Sequence, residues 1–356
     1  MNKKLNVAIL GATGAVGQRF IQLLENHPWF KVAEVVASER SAGRRYGDAV
    51  HWVVDGLPPQ DVANLIVKPL GGHLDSPLVF SALPKEAAVE IEPELASAGH
   101  VVATNASAYR METDVPLMLA EVNSSHLGLI DIQRKARNWT SGALAANSNC
   151  TIMPVVMALA PLLKFGVTRL HMVSQQATSG AGYPGVASLD ILDNVIPYVS
   201  GDEDKMPIEA RKMLGQFNGQ AIVDLNVRAS TTCTRVPVID SHLVHISVEL
   251  ESKPSMTEII DSWSSFRGLD PVPRLPSSPA LPVQHISLQD RPQPRRDRMA
   301  GNGMASVVGR LRPCEILGYK FFTLAHNTIR GAAGSSIQNA ELMAVCGYID
   351  GFSPEI

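Results

Sequence analysis

A glycine-rich turn near the amino terminus constrains the fold more than any other feature of the sequence. An apolar run at residues 6–10 leads into Gly11-Ala-Thr-Gly14-Ala-Val-Gly17, and helical periodicity follows at residues 18–25. This order of strand, turn and helix is typical of the first unit of a doubly wound parallel sheet. Glycines permit a tight turn and let backbone N–H groups approach a pyrophosphate at the positive end of the helix. The turn therefore predicts a dinucleotide site that includes Gly11, Thr13, Gly14, Ala15 and Val16.

The pattern of strands and helices continues in the same way up to Cys150 and then changes. Apolar runs at residues 31–37, 78–83 and 100–104 alternate with helical segments, one of which begins near Lys85. This alternation predicts a parallel, doubly wound sheet. After Cys150, a buried helix is expected at 151–163 and strands at 167–175 and 243–249, which predicts an α+β domain with a mostly antiparallel sheet. We interpret residues 274–298, rich in proline and arginine, as an ordered surface crossing, and residues 327–346 as helical again.

The length of 356 residues favours two domains. The predicted fold class is α/β plus α+β: a Rossmann-type domain formed by residues 1–148 and 331–356, and a second domain, of α+β type, formed by residues 149–330. The last segment is expected to pack back on the first domain, which makes that domain discontinuous in sequence.

Composition excludes several classes of protein. With a net charge of −3, the protein lacks the excess of basic residues that is typical of a nucleic-acid binder. The apolar run at the amino terminus is too short for a signal peptide, and no stretch reaches the length of a membrane span. The four cysteines are scattered, without the spacing of a metal site, which favours free thiols and no metal. These features predict a soluble cytoplasmic protein with a small-molecule substrate.

The turn after the second predicted strand bears on the choice of nucleotide. An enzyme that uses NAD usually has an acidic residue there to hold the ribose 2′-hydroxyl. Here Ser38, Arg40 and Ser41 suit a 2′-phosphate, with Arg40 supplying the positive charge, although Glu39 lies in the same turn. The sequence favours NADP as the cofactor.

Cys150 is the candidate nucleophile. It lies where an irregular segment meets an apolar helix, and a helix N-terminus stabilises a thiolate. The alternative is a small buried hydrophobe, the usual fate of a free cysteine. A thiol nucleophile needs an acid/base partner, and His242, just before a predicted strand and close to Asp240, is the candidate. His245 and His171 are alternatives that we expect to pack within strands.

Several motifs, taken together and in order, closely resemble the aspartate-semialdehyde dehydrogenase family, particularly its archaeal and fungal branch. Besides the glycine turn and the segment around Arg40, they are Ser81-Ala-Leu-Pro84, Asn105-Ala-Ser-Ala-Tyr-Arg110, Ser148-Asn-Cys150, Ser179-Gly-Ala-Gly-Tyr-Pro-Gly185, Arg235-Val-Pro-Val and Asn327-Thr-Ile-Arg-Gly-Ala-Ala-Gly334. Such enzymes reduce β-aspartyl phosphate to aspartate semialdehyde with NADPH, in the biosynthesis of lysine, threonine, methionine and isoleucine.

The resemblance implies a role for individual residues. Cys150 corresponds to the nucleophile that forms a thioester, His242 to the acid/base, and Arg235 to the partner of the substrate α-carboxylate, for which a guanidinium is well suited. The other substrate-binding residues implied are Arg110, Lys205 and Asn149 at the phosphate, Glu203 or its neighbour Asp202 at the substrate ammonium, and Gln176. Ser81, Ser179, Gly180 and Asn327 correspond to further cofactor-binding positions.

Ser241 departs from the family pattern, which often has glycine before the histidine. An acyl-CoA reductase of the malonyl-CoA reductase type shares the fold and the cysteine and is the alternative enzyme. A catalytically idle NADP-binding regulator is the alternative outside enzymes, but it predicts the loss of the nucleophile or the base. The resemblance also implies that residues 149–330 are the catalytic and dimerisation domain of a homodimer or a dimer of dimers, with that domain's sheet as the interface.

Overall fold

Two large β-sheets organise the computed structural model, which describes residues 4–356. The first sheet has seven strands, all parallel, in the order β3-β2-β1-β4-β5-β7-β6. Its strands are β1 (Leu5–Leu10), β2 (Phe30–Ala37), β3 (Lys68–Pro69), β4 (Leu78–Ser81), β5 (Val101–Thr104), β6 (Leu117–Met118) and β7 (Ala143–Asn147). The helices within this part of the chain are α1 (Ala15–Leu24), α2 (Tyr46–Ala49), α3 (Gln60–Ala63), α4 (Lys85–Ser97), α5 (Ala120–Asn123) and α6 (Leu129–Arg137).

Both faces of the first sheet are buried, as expected for a parallel sheet. Along β1, Val7 and Ile9 face one apolar cluster, whereas Ala8 and Leu10 face the other. The predicted doubly wound sheet is confirmed. α1 begins three residues earlier than predicted, at Ala15, because the glycine turn itself ends at the first turn of the helix.

The second sheet is mixed and has six strands in the order β11-β8-β12-β15-β14-β13. The inner pairings are antiparallel and the two edge pairings are parallel. The strands of the second half are β8 (Val167–Gln176), β9 (Gln216–Phe217), β10 (Ile222–Val223), β11 (Arg228–Arg235), β12 (His242–Leu250), β13 (Val283–Ile286), β14 (Ser306–Cys314) and β15 (Gly318–Ala325), of which β9 and β10 form a separate pair. The helices are α7 (Ile152–Leu159), α8 (Ser188–Ile191), α9 (Asp202–Met213), α10 (Met256–Ser265), α11 (Pro294–Asp297) and α12 (Gly334–Val345).

The interpretation of residues 274–298 as a surface crossing alone is wrong. This segment contributes β13, which adds to the edge of the second sheet beside β14, and Leu275 and Val283 are buried. β13 was not predicted because it is only four residues long and is flanked by proline-rich stretches, which are typical of loops.

The last helix returns to the first sheet. α12 is buried along nearly its whole length, and Ile337, Ala340 and Met343 pack in the same apolar cluster as Val7 and Ile9 of β1. A π-helical turn, Ile329–Ala333, precedes it directly. The predicted helical segment is thus confirmed, with an irregular first turn. No helix among residues 4–356 has both the length and the apolar character of a membrane span.

Candidate active site

Cys150 lies at the junction between the two sheets. It follows β7 of the first sheet and comes two residues before α7, which packs against strands of the second. The Asn149 side-chain carbonyl accepts a hydrogen bond from the Thr151 amide at 2.7 Å, which shapes the entry into the helix. The thiol is half-buried and free. The turn between strand and helix thus presents Cys150 at the carboxyl edge of the parallel sheet, where ligands of such sheets bind.

His242, the first residue of β12, brings its ring to the cysteine. Its Nε2 lies 3.2 Å from the Cys150 Sγ. On the other side of the ring, the Ala177 amide donates a hydrogen bond to Nδ1 at 3.0 Å. A nitrogen that accepts a hydrogen bond carries no proton, so this contact favours the neutral tautomer with its proton on Nε2, directed at sulfur.

Burial keeps both members of this pair neutral. Burial raises the pKa of the Cys150 thiol to about 11, and the nearby Asp202 adds to this, whereas Arg110 and Arg235 act in the opposite direction. Burial and the Arg235 charge lower the pKa of His242 to about 3. The pair is therefore a thiol and a neutral imidazole at neutral pH, flanked by two guanidinium groups that favour a thiolate.

Arg235 ends β11, and its charge acts on both His242 and Cys150. Its guanidinium donates a hydrogen bond to the Ala177 carbonyl at 2.7 Å. A methyl group built on Gly180 would lie 2.8 Å from that guanidinium and about as close to the His242 ring. Only glycine permits this approach, so Gly180 is in direct contact with both predicted site residues.

Of the two acidic candidates, the structure brings Asp202 to the site and turns Glu203 away. The Asp202 carboxylate accepts hydrogen bonds from the side-chain amides of Asn149 at 3.0 Å and Gln176 at 2.9 Å. Glu203 is exposed and accepts a hydrogen bond from the Cys233 amide of β11. The two residues are adjacent on α9, so they point in different directions around the helix.

Arg110 also reaches the site, in a loop that follows β5. Its guanidinium pairs with Glu209 of α9 at 3.1 Å and donates a hydrogen bond to the Asn105 carbonyl. Glu209 accepts a second hydrogen bond, from the Asn149 amide, at 2.7 Å. Lys205, predicted beside Arg110, is exposed, and no hydrogen bond or ion pair within residues 4–356 joins it to that residue.

Glu209 and Lys212 also lie at this site, although they were not among the residues predicted from the sequence. Lys212 is buried and donates hydrogen bonds of 2.7 to 2.9 Å to the carbonyls of Arg110, Glu112 and Val115. Burial lowers the pKa of its ammonium to about 8. A signal was present: Glu209 follows Asp202 by seven residues, and residues spaced by seven share one face of a helix.

The segment before α12 completes the site. A methyl group built on Gly331 would lie 2.6 Å from the Cys150 Cβ, so this glycine packs directly against the cysteine. The Asn327 side chain accepts a hydrogen bond from the Ser241 amide and donates one to the Ser179 hydroxyl. Ser241 has a φ of 94°. This left-handed backbone explains why glycine suits the position, and the serine hydroxyl donates a hydrogen bond to the Ala325 carbonyl.

The glycine turn has the shape that a dinucleotide requires. A methyl group built on Gly11 would lie 2.6 Å from the Ala82 carbonyl oxygen. One built on Gly17 would lie 2.3 Å from the Gly11 carbonyl oxygen, so both positions require glycine. α1 begins without a side-chain cap or an acidic residue in its first turn, so the amides of Ala15 and Val16 remain available for a phosphate. Ser81 ends the neighbouring strand β4, and Ser41 is buried in the turn that follows β2.

Two family models match the chain. The NAD binding domain of semialdehyde dehydrogenases matches residues 6–130, and the dimerisation domain matches residues 159–330. An aspartate-semialdehyde dehydrogenase of Archaeoglobus fulgidus is 49% identical, over 96% of this chain and 98% of its own. The chain belongs to the aspartate-semialdehyde dehydrogenase family.

Two further relatives are similar to the chain over almost its whole length. The crystal structure of aspartate-semialdehyde dehydrogenase with NADP from Candida albicans superposes with a TM-score of 0.89 at 36% identity, over 98% of this chain and all of that one. A malonyl-CoA reductase (NADP) of Metallosphaera sedula is 37% identical over 98% of this chain and 99% of its own. The predicted family, fold class and nicotinamide cofactor are confirmed, and the protein is an oxidoreductase that acts on an aldehyde group.

Proposed function

We propose that this protein catalyses the NADPH-dependent reductive dephosphorylation of β-aspartyl phosphate to aspartate semialdehyde, in the biosynthesis of lysine, threonine, methionine and isoleucine. The observation that carries the proposal is the 3.2 Å contact between the Cys150 Sγ and the His242 Nε2, with Arg235 and Arg110 beside it. Thiol, imidazole and two cations together suit a substrate that presents an acyl carbon, a carboxylate and a phosphate.

In the first half-reaction, the Cys150 thiolate attacks the acyl carbon. The new carbon–sulfur bond forms as the carbon–oxygen bond to phosphate breaks, and phosphate leaves with the electron pair. Arg110 is the cation available to the leaving phosphate, and Arg235 pairs with the α-carboxylate. For the substrate ammonium, Asp202 and Glu209 are the buried carboxylates beside Asn149, which favours them over the exposed Glu203.

In the second half-reaction, the carbon–sulfur bond breaks and the thiolate leaves with the electron pair. When bound, the nicotinamide supplies a hydride to the thioester carbon. His242, protonated on both ring nitrogens after it has taken up the thiol proton, then returns the Nε2 proton to sulfur. Uptake of the thiol proton by Nε2 requires the other neutral tautomer, in which the Ala177 amide has turned away from Nδ1.

The residues that would hold NADPH come from both halves of the chain. The glycine turn and the start of α1 suit the pyrophosphate, and Ser179, Gly180 and Asn327, close to Ser241 and His242, would hold the nicotinamide half. Ser38 and Arg40 are exposed at the end of β2, and their side chains make no hydrogen bond within residues 4–356. A free guanidinium there supports recognition of a 2′-phosphate, and hence NADP over NAD.

The experiment that tests this function is the reverse reaction, followed by absorbance. Purified protein should reduce NADP with aspartate semialdehyde only when inorganic phosphate is present, and NAD should be a poorer substrate. Reduction that needs CoA in place of phosphate would identify an acyl-CoA reductase instead. Binding of NADPH without turnover of aspartate semialdehyde under either condition would contradict the proposed substrate.

The Cys150→Ser variant tests the covalent mechanism. We expect kcat to fall by about 10⁴-fold or more, because a serine hydroxyl beside a neutral imidazole yields far less nucleophile than a thiol. The matched control is Cys346→Ser, at an exposed position remote from the site, which should keep the wild-type rate. A near-normal rate for Cys150→Ser would exclude the thioester.

We also propose a homodimer or homotetramer assembled through the outer face of the second sheet. That face carries half-buried Val173, Leu243 and Phe322, and the segment that precedes α9 adds Leu189 and Leu192, which are 92% and 63% exposed. A second copy would cover these apolar side chains. Sedimentation should give a dimer or larger species for the wild type and for Leu57→Arg, exposed elsewhere, but a monomer for Leu243→Arg. A monomeric wild type would contradict this assembly.

Two further proposals concern organisation and location. The division into residues 1–148 with 331–356, and residues 149–330, is supported by the packing of α12 in the core of the first sheet. A cytoplasmic location is supported by the four cysteines, all of which are free thiols.

A further inference from the structure

A fully buried ion pair that belongs to no binding surface lies behind Cys150. The Arg330 guanidinium, in the π-helical turn, contacts the Glu121 carboxylate of α5 at 2.6 Å, and both side chains have no exposed surface. Gln338 of α12 closes a triangle: it accepts a hydrogen bond from Arg330 and donates one to Glu121, each at 2.8 Å. The triangle therefore ties the π turn to two helices at once.

The stability of the fold does not account for this pair. Removing two charges from water carries a large desolvation cost, and apolar residues of similar volume often serve a fold equally well or better. The Arg330 Nε also lacks a hydrogen-bond partner within residues 4–356, so the guanidinium is incompletely satisfied. A costly and incomplete pair is better explained by a geometric requirement of its surroundings.

The surroundings supply such a requirement. In the π turn, the Gly331 amide donates to the His326 carbonyl and the Ala333 amide to the Thr328 carbonyl, at 2.9 and 3.2 Å. These widened bonds are less favourable than those of an α-helix, and such turns occur frequently at functional sites. Gly331, the neighbour of Arg330, is the residue that packs against the Cys150 Cβ.

We propose that Arg330 and Glu121 are positioning residues for Cys150. The ion pair fixes the π turn, the turn fixes Gly331, and Gly331 supports the cysteine at the distance from which its sulfur reaches His242. The inference rests on the proposed role of Cys150 as nucleophile. A regular α-helical turn in this segment would shift Gly331 along the helix and remove that support.

The test replaces the triangle by apolar residues of similar volume: Glu121→Leu, Arg330→Met and Gln338→Met together. No charge is then left buried without a partner, so the thermal midpoint should stay near or above that of the wild type. We expect kcat to fall by about 100-fold, as for roughly a 1 Å misplacement of a reacting group.

A second readout needs no substrate. The rate at which iodoacetamide alkylates Cys150, followed by mass spectrometry of its peptide, should fall by about tenfold, as for a thiol whose pKa rises by one unit on losing its contact with His242. Glu341→Gln is the matched control. Glu341 is buried on the same helix and binds His27 and Ser277. Its variant should lose thermal stability and keep the wild-type alkylation rate.

A folded triple variant with wild-type alkylation would overturn the inference, whatever its turnover. If the triple variant does not fold, Glu121→Gln, which keeps the shape of the side chain, decides by the same two readouts. Failure of this inference can be distinguished from failure of the proposed function. If the proposed function is wrong, the wild-type protein does not reduce NADP with aspartate semialdehyde and phosphate. The alkylation rate still reports the position of Cys150 in that case.

Discussion

At the scale of single residues, the site depends on glycines that allow close approach. Gly331 touches Cys150 and Gly180 touches Arg235 and His242, so both sides of the proposed catalytic pair rest on positions without a side chain. Ser241 shows the opposite solution, since it keeps a left-handed backbone with a side chain whose hydroxyl is bound to the Ala325 carbonyl. The three positions together fix the approach of His242 to the thiol.

The Gly331→Ala variant should lose both activity and stability. The added methyl group would displace Cys150, so kcat should fall, and crowding in a packed site costs about 2 kcal/mol of unfolding free energy. Steady-state kinetics and urea unfolding measure the two effects. Gly128→Ala is the control: it crowds the Phe217 ring, in the separate β9–β10 pair, so it should lose stability and keep kcat. Equal kcat losses in both variants would show that crowding alone explains the effect.

At the scale of elements, α9 connects the loop of Arg110 to the proposed nucleophile. Asp202 and Glu209 on one of its faces bind Asn149, and Lys212 holds three carbonyls of the loop. Acidic residues near the start of this helix and basic ones near its end also agree with its dipole. The helix thus connects residues contributed by both sheets.

Lys212→Met should weaken this connection. It removes three charge-assisted hydrogen bonds and leaves buried carbonyls unsatisfied, so the free energy of unfolding should fall by about 3 kcal/mol. The KM for phosphate in the reverse reaction should rise, because the Arg110 loop loses its anchor. Urea unfolding and kinetics at varied phosphate measure this. Lys205→Met, exposed on the same helix, should change stability by less than about 0.5 kcal/mol; a comparable loss there would contradict the special role of Lys212.

At the scale of the whole molecule, buried neutral histidines make stability depend on pH. Burial lowers the pKa of His126 to about 4 and of His326 to about 4, below the value near 6.5 of an unfolded chain. The unfolded state therefore binds more protons in this range. The contribution of these two histidines to the free energy of unfolding should be fully present above pH 6.5. It should decline as the pH falls towards about 4, by up to about 1.4 kcal/mol per pH unit for each histidine.

Urea unfolding at several pH values measures this slope for the wild type and for His126→Gln. The variant removes one titrating group, so its slope between pH 6.5 and 4 should be smaller. A slope unchanged by His126→Gln would show that this histidine does not remain neutral in the folded protein.

The sequence by itself determined the elements and the chemistry carried by short segments. The strand, glycine turn and helix at residues 5–24 could be predicted because periodicity and turn geometry are local. Cys150 could be singled out because a thiol at a helix start has a recognisable chemistry, and His242 because such a thiol needs an acid/base partner. The strand at Val283–Ile286 was hidden, because four residues carry little periodicity.

Only the tertiary structure decided which side chains meet. Glu209 and Arg110 are 99 residues apart in sequence, and Arg330 and Glu121 are 209 apart, so no local pattern connects them. Asp202 and Glu203 are both acidic, so the sequence does not distinguish them. The orientation of α9 against β8 and β11 directs Asp202 to the Gln176 side chain and Glu203 to the Cys233 amide. Contacts of this kind depend on how helices and strands pack, because packing fixes the direction in which each side chain points.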